Sequence, residues 1–281
     1  MAAHPSISVS PVTASIGAVV EGVDLSEELS EETIGDLHGA LMDHLVLFFH
    51  DQDLTDEQHL AFASRFGAPN PYPADARPGE GLLQWIEDTP ESPPKADLWH
   101  TDVSFIPTPP DIAFLNMRVA AASGGDTLWA NLYAVHDLLS PSMQEVVARL
   151  RLDVRPVETV TWKGYDGVER VEYRADPMRP SCLQPLVRVH PVTGRRALYM
   201  CGSFTFGIDG MYPDESDALL AVLNRRLSDP NVQCRWRWHD HDFAMWDERC
   251  TNHRAVADHH PGYRLVRRAT VGASVAVGVG G

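Results

Sequence analysis

The sequence predicts a strand-rich α+β fold, with strands concentrated in its second half and helices packed around them. The 281 residues include 20 glycines and 21 prolines, which is above average usage and favours a turn-rich fold over a helical bundle. Short apolar or β-branched runs bounded by turn residues recur from 186 to 271. Since no composition shift marks a boundary, residues 1–281 are expected to form one domain with a frayed tail at 277–281.

In the first half, helical periodicity and capping residues alternate with short apolar runs. Ile34, Leu37 and Leu41 follow Ser30 at helical spacing and predict a helix over 31–44. Thr55 and Gln58 have the capping-box pattern of a second helix, which should stop at Gly67. The remaining expectations are strands within 7–24 and 45–49, and a long substrate or lid loop over 68–98 with one strand at 82–86.

In the second half, strand signals predominate. Helices are expected over 131–150, where Ser140-Pro141 resembles an N-cap followed by Pro, and over 214–227. Residues 155–182 are polar and are expected to be irregular. Strands are predicted near 100–105, 112–118, 186–190, 197–201, 234–238, 243–246 and 264–271.

Charge and composition exclude several functional classes. With 23 Lys+Arg against 39 Asp+Glu, the net charge is −16, which argues against nucleic acid or an anionic membrane surface as partner. No apolar run reaches the roughly 18 residues of a membrane span, and the N-terminus has no secretory pattern. The four cysteines lie far apart without a C-x-x-C motif, so a reduced cytoplasmic protein is expected.

The segment His100-Thr101-Asp102 contains the first candidate residues for a metal site. If these residues form a strand, His100 and Asp102 point to one face and can offer two adjacent ligands to a metal. His253 is a candidate third ligand, and two histidines with one carboxylate leave open positions on a non-haem iron. An H-x-D pair alone is a weak signal, because it also occurs by chance on half-exposed strands.

A second candidate is the pair of arginines on the strand predicted over 264–271. Arg264 and Arg268 share one face of that strand, and a buried guanidinium needs an anionic partner. Thr127 follows the Gly124-Gly125 turn and could donate to the same carboxylate as one arginine. Surface salt bridges are the alternative interpretation of the two arginines.

Taken together, these motifs resemble the taurine dioxygenase (TauD/TfdA) family of Fe(II)- and 2-oxoglutarate-dependent oxygenases, and the similarity spans nearly the whole chain in order. The segments that carry it are Ile16-Gly17-Ala18, Gly22-Val23-Asp24-Leu25, Val46-Leu47-Phe48-Phe49, Glu57-Gln58-His59 to Phe66-Gly67, Trp99 to Phe105, Gly124 to Trp129, Val189-His190-Pro191 with Gly194, Trp246-Asp247, His253-Arg254-Ala255 and Arg264 to Thr270.

The resemblance implies a double-stranded β-helix, or jelly roll of the cupin type, with flanking helices. It implies that His100, Asp102 and His253 bind Fe(II) and that O2 and 2-oxoglutarate are co-substrates. The co-substrate site would comprise Thr127 and Arg264 at its distal carboxylate, Arg268 near its keto acid end, and Trp246. Related halogenases have a small residue in place of Asp102, so the carboxylate favours hydroxylation or another oxidation.

The sequence departs from the taurine enzyme around the expected substrate site. Asn70 and Tyr72 stand where that enzyme has His and Tyr, Ala96 is the nearest match to its Asn, and Glu248 replaces the usual Asn. The substrate-binding candidates are therefore Tyr72, Asn70, Ala96 and Arg268. The expected substrate is a small, acidic molecule such as an organic acid, an alkyl sulfonate or sulfate, an aryloxyalkanoate or an amino-acid-like metabolite. A homo-oligomer, dimer or tetramer, is expected by resemblance.

Two other activities remain open on the same scaffold: a zinc-dependent hydrolase, since the triad also suits Zn²⁺, and a non-catalytic small-molecule-binding protein. The zinc hydrolase has no use for the arginine pair and Thr127. The run His239-Asp240-His241-Asp242 is interpreted as a solvated turn, with a second metal site as the alternative, and His259-His260 as a loop pair. Trp236 and Trp238 alternate with arginines and are expected to face the core.

Overall fold

The computed structural model describes residues 4–71, 81–92, 97–163, 169–176 and 181–280, and most of its regular structure is β. The helices are α1 (Glu31–His44), α2 (Asp56–Ser64), α3 (Leu132–Asp137), α4 (Pro141–Val147) and α5 (Pro213–Leu227), with a short 3-10 turn at Pro230–Val232. The strands are β1 (Ser8–Pro11), β2 (Ala18–Glu21), β3 (Val46–Phe49), β4 (Gln84–Asp88), β5 (Ile112–Val119), β6 (Thr127–Asn131), β7 (Arg151–Val154), β8 (Val157–Lys163), β9 (Glu169–Ala175), β10 (Cys182–Pro185), β11 (Val187–Val189), β12 (Arg196–Leu198), β13 (Thr205–Ile208), β14 (Gln233–Trp236), β15 (Phe243–Asp247), β16 (Thr251–Ala255) and β17 (Arg264–Val271).

A seven-stranded sheet is the main layer of the molecule. Its strand order is β1-β2-β3-β15-β5-β17-β4, and all its pairings are antiparallel except β2 with β3. From β3 to β4 the strand neighbours in this sheet are remote in sequence, so the sheet brings the 84–88 and 264–271 segments side by side. Arg264 lies directly opposite Asp88 in that pairing.

The two faces of this sheet bury different cores, as the alternation along β15 shows. Phe243 and Met245 face a core that includes Leu37 and Leu41 of α1 and Phe62 of α2. Ala244 and Trp246 face the other core, which is shared with the three-stranded sheet β14-β6-β16 and with β7, β11 and β12. Because side chains alternate along a strand, one strand contributes to both layers. The second core borders the candidate site.

Local signals predict most helices correctly. Ser30, Thr55 and Ser140 cap α1, α2 and α4 as expected, and Thr55 forms the reciprocal capping box with Gln58. These caps satisfy backbone N–H groups that have no partner within the helix, so the first turn is fixed by neighbours in sequence. Trp236 and Trp238 are buried, as the alternation of residues 235–238 predicts.

Three expectations differ from the structure. Residues 157–163 and 169–175 pair as an antiparallel hairpin, β8 with β9, where the sequence predicts irregular chain. The strand predicted over 100–105 is only an isolated bridge at His100 followed by turns. In the expected frayed tail, the Val277 carbonyl accepts from the Val189 amide (2.8 Å), and Gly278 bridges to Arg188. Among the described residues, no helix is long and apolar enough to cross a membrane.

Candidate active site

His100 and His253 are brought together by the backbone. The His100 amide donates to the His253 carbonyl (3.0 Å) and the His253 amide donates back to the His100 carbonyl (2.9 Å). This reciprocal pair joins the loop at 97–102 to β16, and it sets the two imidazole ring centroids 4.2 Å apart. The closeness of the two imidazole rings therefore depends on backbone pairing between segments that are remote in sequence.

The turn that carries Asp102 is braced by buried polar side chains. Asn252 donates to the Thr101 hydroxyl (2.7 Å), and that hydroxyl donates to the Thr251 carbonyl (3.1 Å). Gly202 bridges to His100 from the other side with φ +62°, and a Cβ there would overlap the Trp99 carbonyl. Glycine is required at this close approach. The sequence predicts that His100 and Asp102 share one face of a strand; that geometry is wrong, and a braced turn brings them together instead.

The three predicted metal-binding side chains converge on one buried point. Ligand atoms of His100, Asp102 and His253 all lie within 4.8 Å of one another. Asp102 Oδ1 is 3.6 Å from His100 Nε2 and 3.9 Å from His253 Nε2. His100 Nδ1 lies 2.7 Å from the Leu98 carbonyl, so this nitrogen carries the proton and leaves the Nε2 lone pair for a metal. Burial lowers the pKa of both imidazoles, which keeps them neutral as ligands must be.

The charges of the side chains around this meeting point also fit the binding of a divalent cation. Asp102 and Glu248 are buried carboxyl groups, and Glu248 Oε2 accepts from the Asp102 amide (3.0 Å). Burial and then the Asp102 charge raise the pKa of Glu248 well above its usual range. Burial opposes ionisation of Asp102 too, but the Arg268 guanidinium, His253 and His100 together outweigh it and lower that pKa. A cation between the imidazoles and Asp102 would relieve the repulsion between the carboxylates. The residues present therefore fit a non-haem Fe(II) bound by two histidines and one carboxylate.

Arg264 is buried beside the Gly124-Gly125 turn. It is 4% exposed, its Nη1 is 3.5 Å from Asp88 Oδ2, and its Nε has no hydrogen-bond partner among the described residues. A Cβ on Gly125 would approach the Arg264 Cδ to 3.3 Å, so the glycine makes room for this side chain. Such a buried cation with an unused donor fits the distal carboxylate of a dicarboxylic acid.

Two further co-substrate candidates, Thr127 and Trp246, are buried. Thr127 Oγ1 accepts from the Trp238 indole (2.9 Å), which leaves its own proton to donate. The Trp246 ring lies 5.0 Å from the His253 ring, and its indole donates to Glu248 Oε1 (2.6 Å). Trp246 therefore contacts the metal side of the site.

The substrate candidates are only partly placed. Tyr72 and Ala96 lie outside the described residues. The Asn70 side chain donates to the Gly272 carbonyl, and its backbone amide donates to Thr270. Arg268 donates to Asp102 and, through Nε, to Gln84 Oε1 (3.0 Å), so it borders the carboxylate of the candidate metal site.

Several residues at the site were missed by sequence reasoning. Phe204 packs its ring 6.2 Å from the His100 ring and 5.0 Å from that of Phe105, and it supplies an apolar wall. His259, interpreted as a loop residue, is buried with Nε2 3.2 Å from Asp88 Oδ2, next to Arg264. No spacing rule signals these contacts, because they join separate segments. Glu248 does have a signal in the sequence, because it replaces the usual Asn directly after Trp246-Asp247.

Two other clusters of metal-binding residue types occur in the described chain. His50, His239 and Asp242 meet at the surface, where Asp242 already accepts from the Trp236 indole (3.1 Å) and the His239 amide (2.9 Å). His190, Asp247 and Cys250 are buried. In that cluster, the Asp247 carboxylate is paired with Arg249 at 2.6 and 2.8 Å. Both carboxylates have the hydrogen bonds that a structural role requires.

Comparison with known proteins gives a consistent result across nearly the whole chain. The profile of the "Taurine catabolism dioxygenase TauD, TfdA family" matches residues 8–270. An alpha-ketoglutarate-dependent sulfate ester dioxygenase of Pseudomonas putida is 34% identical over 98% of this chain and 92% of its own length. An (S)-phenoxypropionate/alpha-ketoglutarate-dioxygenase of Sphingobium herbicidovorans is 32% identical over 90% of each chain.

A solved structure agrees with these sequence relatives. The crystal structure of a taurine dioxygenase from Burkholderia xenovorans is 34% identical, covers 98% of this chain and 92% of its own, and superposes with a TM-score of 0.83. The predicted resemblance is thereby confirmed, as is the β-rich fold class that accompanies it. The chain belongs to the taurine catabolism dioxygenase TauD, TfdA family and is an Fe(II)- and 2-oxoglutarate-dependent dioxygenase.

Proposed function

We propose that the protein hydroxylates an unactivated C–H bond of a small anionic organic molecule. One oxygen atom of O2 enters the product, and the other enters the succinate that forms with CO2 from 2-oxoglutarate. The observation that carries this proposal is the convergence of His100, Asp102 and His253 on one buried point, with Arg268 hydrogen-bonded to Asp102. The relatives support an anionic substrate, because their names specify sulfate esters and phenoxypropionate.

The chain's own residues would divide the work as follows. His100, Asp102 and His253 would hold Fe(II), which supplies, when bound, the centre at which O2 reacts with the co-substrate. Arg264 would pair with the distal carboxylate of 2-oxoglutarate, and Thr127 would donate to the same group. This pairing would satisfy the Arg264 Nε that the described protein leaves without a partner.

The substrate would lie on the Arg268 side of the metal. Arg268 is the cation nearest Asp102 and would attract an acidic head group, with Asn70, Tyr72 and Ala96 as the other proposed contacts. Phe204 and Phe105 would shield the reacting carbon from water. The buried, incompletely paired Arg264 favours this function over a zinc hydrolase or a non-catalytic binding protein, since neither of those needs a dicarboxylate site beside the metal.

The fold topology, the number of domains, the oligomeric state and the localisation are also proposals. The facing sheets β1-β2-β3-β15-β5-β17-β4 and β14-β6-β16 support a double-stranded β-helix, and the absence of a composition boundary supports one domain over 1–281. A dimer or tetramer in the cytoplasm is proposed from the resemblance, and the four free cysteines are compatible with a reducing compartment. Light scattering and cell fractionation test these two points.

A paired-substrate screen tests the activity. Purified protein with Fe(II), ascorbate and 2-oxoglutarate is given alkyl sulfates, alkyl sulfonates, aryloxyalkanoates and amino acids, each beside a neutral analogue of equal chain length. Succinate release should rise with one anionic class well above its neutral analogue and should require His253. Anionic and neutral members giving equal stimulation would refute the substrate class. Tight Zn²⁺ binding without a visible Fe(II)–2-oxoglutarate charge-transfer band would refute the reaction class.

A further inference from the structure

Glu248 is a buried acid at the centre of the site to which the reaction assigns no role. It is fully buried, and both of its carboxyl oxygens accept hydrogen bonds from groups at the metal centre. Oε2 accepts from the Asp102 amide at 3.0 Å, and Oε1 accepts from the Trp246 indole at 2.6 Å. The Glu248 side chain thus links the turn that carries Asp102 to the Trp246 indole, whose ring lies beside that of His253.

The third neighbour of Glu248 is His253. Its Nδ1 lies 3.8 Å from Glu248 Oε1 and is buried without a hydrogen-bond partner in the described chain. A metal-binding histidine ordinarily has its second ring nitrogen oriented by a carboxylate, a carbonyl or water. For His100 that partner is the Leu98 carbonyl at 2.7 Å. Glu248 is the acceptor that faces the corresponding atom of His253.

We propose that Glu248 is a positioning residue of the metal centre, which holds the Asp102 turn, the Trp246 ring and the His253 imidazole in one arrangement. Its two acceptor oxygens are both required, because the Asp102 and Trp246 donors approach different oxygens. Both oxygens of a carboxyl group keep a lone pair, protonated or not, whereas the amide nitrogen of a glutamine accepts no hydrogen bond, so in that variant one of these N–H groups would face another N–H group. The proposal rests on the metal site assigned above.

Mn(II) affinity measures this role without turnover. Apo protein is titrated with Mn(II), and free Mn(II) is counted by its electron paramagnetic resonance signal. Loss of an outer partner of a metal ligand typically costs about 10- to 100-fold in metal affinity, so Glu248→Gln should raise the Kd for Mn(II) by about that factor. The affinity of Glu248→Asp, which keeps both acceptor oxygens on a shorter side chain, should lie between those of the wild type and Glu248→Gln.

Asp242 provides a matched control, because it is an equally buried acid with the same types of donor. It accepts from the Trp236 indole at 3.1 Å and from the His239 amide at 2.9 Å. Asp242→Asn should lower the thermal unfolding midpoint, as loss of any buried acceptor does, and leave Mn(II) affinity within about threefold of wild type. Structural damage alone would instead affect both variants alike.

The outcomes separate the two proposals. Wild-type protein that does not bind one Mn(II) per chain overturns the metal site itself. Wild type that binds, with Glu248→Gln of equal affinity or no weaker than Asp242→Asn, overturns only the positioning role. If Glu248→Gln does not fold, Glu248→Asp decides: weakened binding with a normal circular dichroism spectrum supports the role, and wild-type affinity overturns it.

Discussion

Arg268 Nη1 donates to Oδ2 of Asp102 at 2.6 Å, while the other oxygen of the same carboxylate, Oδ1, faces both metal-site histidines. The arginine therefore occupies one side of the carboxylate and leaves the other for a metal. Burial raises the pKa of Asp102, and the guanidinium, with the two imidazoles, more than offsets that effect and favours the ionised carboxylate. The Arg268 guanidinium thus contributes both to the ionisation of the Asp102 carboxylate and to its orientation.

Removing that guanidinium should make metal binding more sensitive to acid. In Arg268→Gln, burial is no longer opposed by the neighbouring cation, so the pKa of Asp102 should rise. Protons then compete with metal at higher pH, and the acid limb of Mn(II) binding should move upward in pH. Arg267→Gln is the control, since Arg267 pairs with Asp56 instead. An unmoved limb in Arg268→Gln would contradict this role.

The metal ligands should be essential for turnover but not for the fold. His100→Ala and His253→Ala each remove one of three converging ligands, so succinate release should fall to background with the circular dichroism spectrum retained. His239→Ala removes an exposed histidine of the surface cluster and should leave turnover unchanged. Wild-type succinate production in either site variant would refute the metal assignment.

Arg264 should control affinity for the co-substrate. A hydrogen bond to a charged group contributes about 1.5–3 kcal/mol, so Arg264→Ala should raise the KM for 2-oxoglutarate by about 10- to 100-fold. Arg267→Ala, on the same strand, should reduce stability through loss of its Asp56 pair and leave that KM unchanged. If only the KM for the prime substrate moved, the co-substrate role of Arg264 would be misassigned.

His59 should make the protein sensitive to acid outside the active site. It is fully buried, neither ring nitrogen has a hydrogen-bond partner among the described residues, and burial lowers its pKa from 6.5 to about 3. The unfolded chain binds the proton below about pH 6.5 and the folded chain does not, so stability is lost as pH falls from about 6.5 to about 3.

Replacing His59 tests this linkage. At pH 5 the unfolded state gains about 2 kcal/mol from this one group. His59→Leu should therefore lose about that much less stability than wild type between pH 7 and pH 5, measured by urea unfolding. His260→Leu, at an exposed histidine, should follow the wild-type pH dependence. Parallel curves for His59→Leu and wild type would contradict the expectation.

Residues that act through near neighbours could be predicted from sequence. The caps at Ser30, Thr55 and Ser140 each satisfy the N–H group three residues away, so the pattern and the structure coincide. The short apolar run at 243–246 similarly predicts a buried strand, and the structure has β15 there. The choice of His100, Asp102 and His253 also came from sequence, through the whole series of motifs and not from their spacing.

Only the tertiary structure decides how those residues meet. The reciprocal backbone pair between His100 and His253, the turn that aims Asp102, and the carboxyl group of Glu248 between Asp102 and Trp246 all join segments that are remote in sequence. Hydrophobic periodicity carries no information on such pairings, since it fixes which face is buried and not which segment covers it. The sequence by itself determined the β-rich fold class of this protein and the proposed ligand set. The geometry and charge of its metal centre were decided by long-range pairing in a buried place, where every polar group must find a partner.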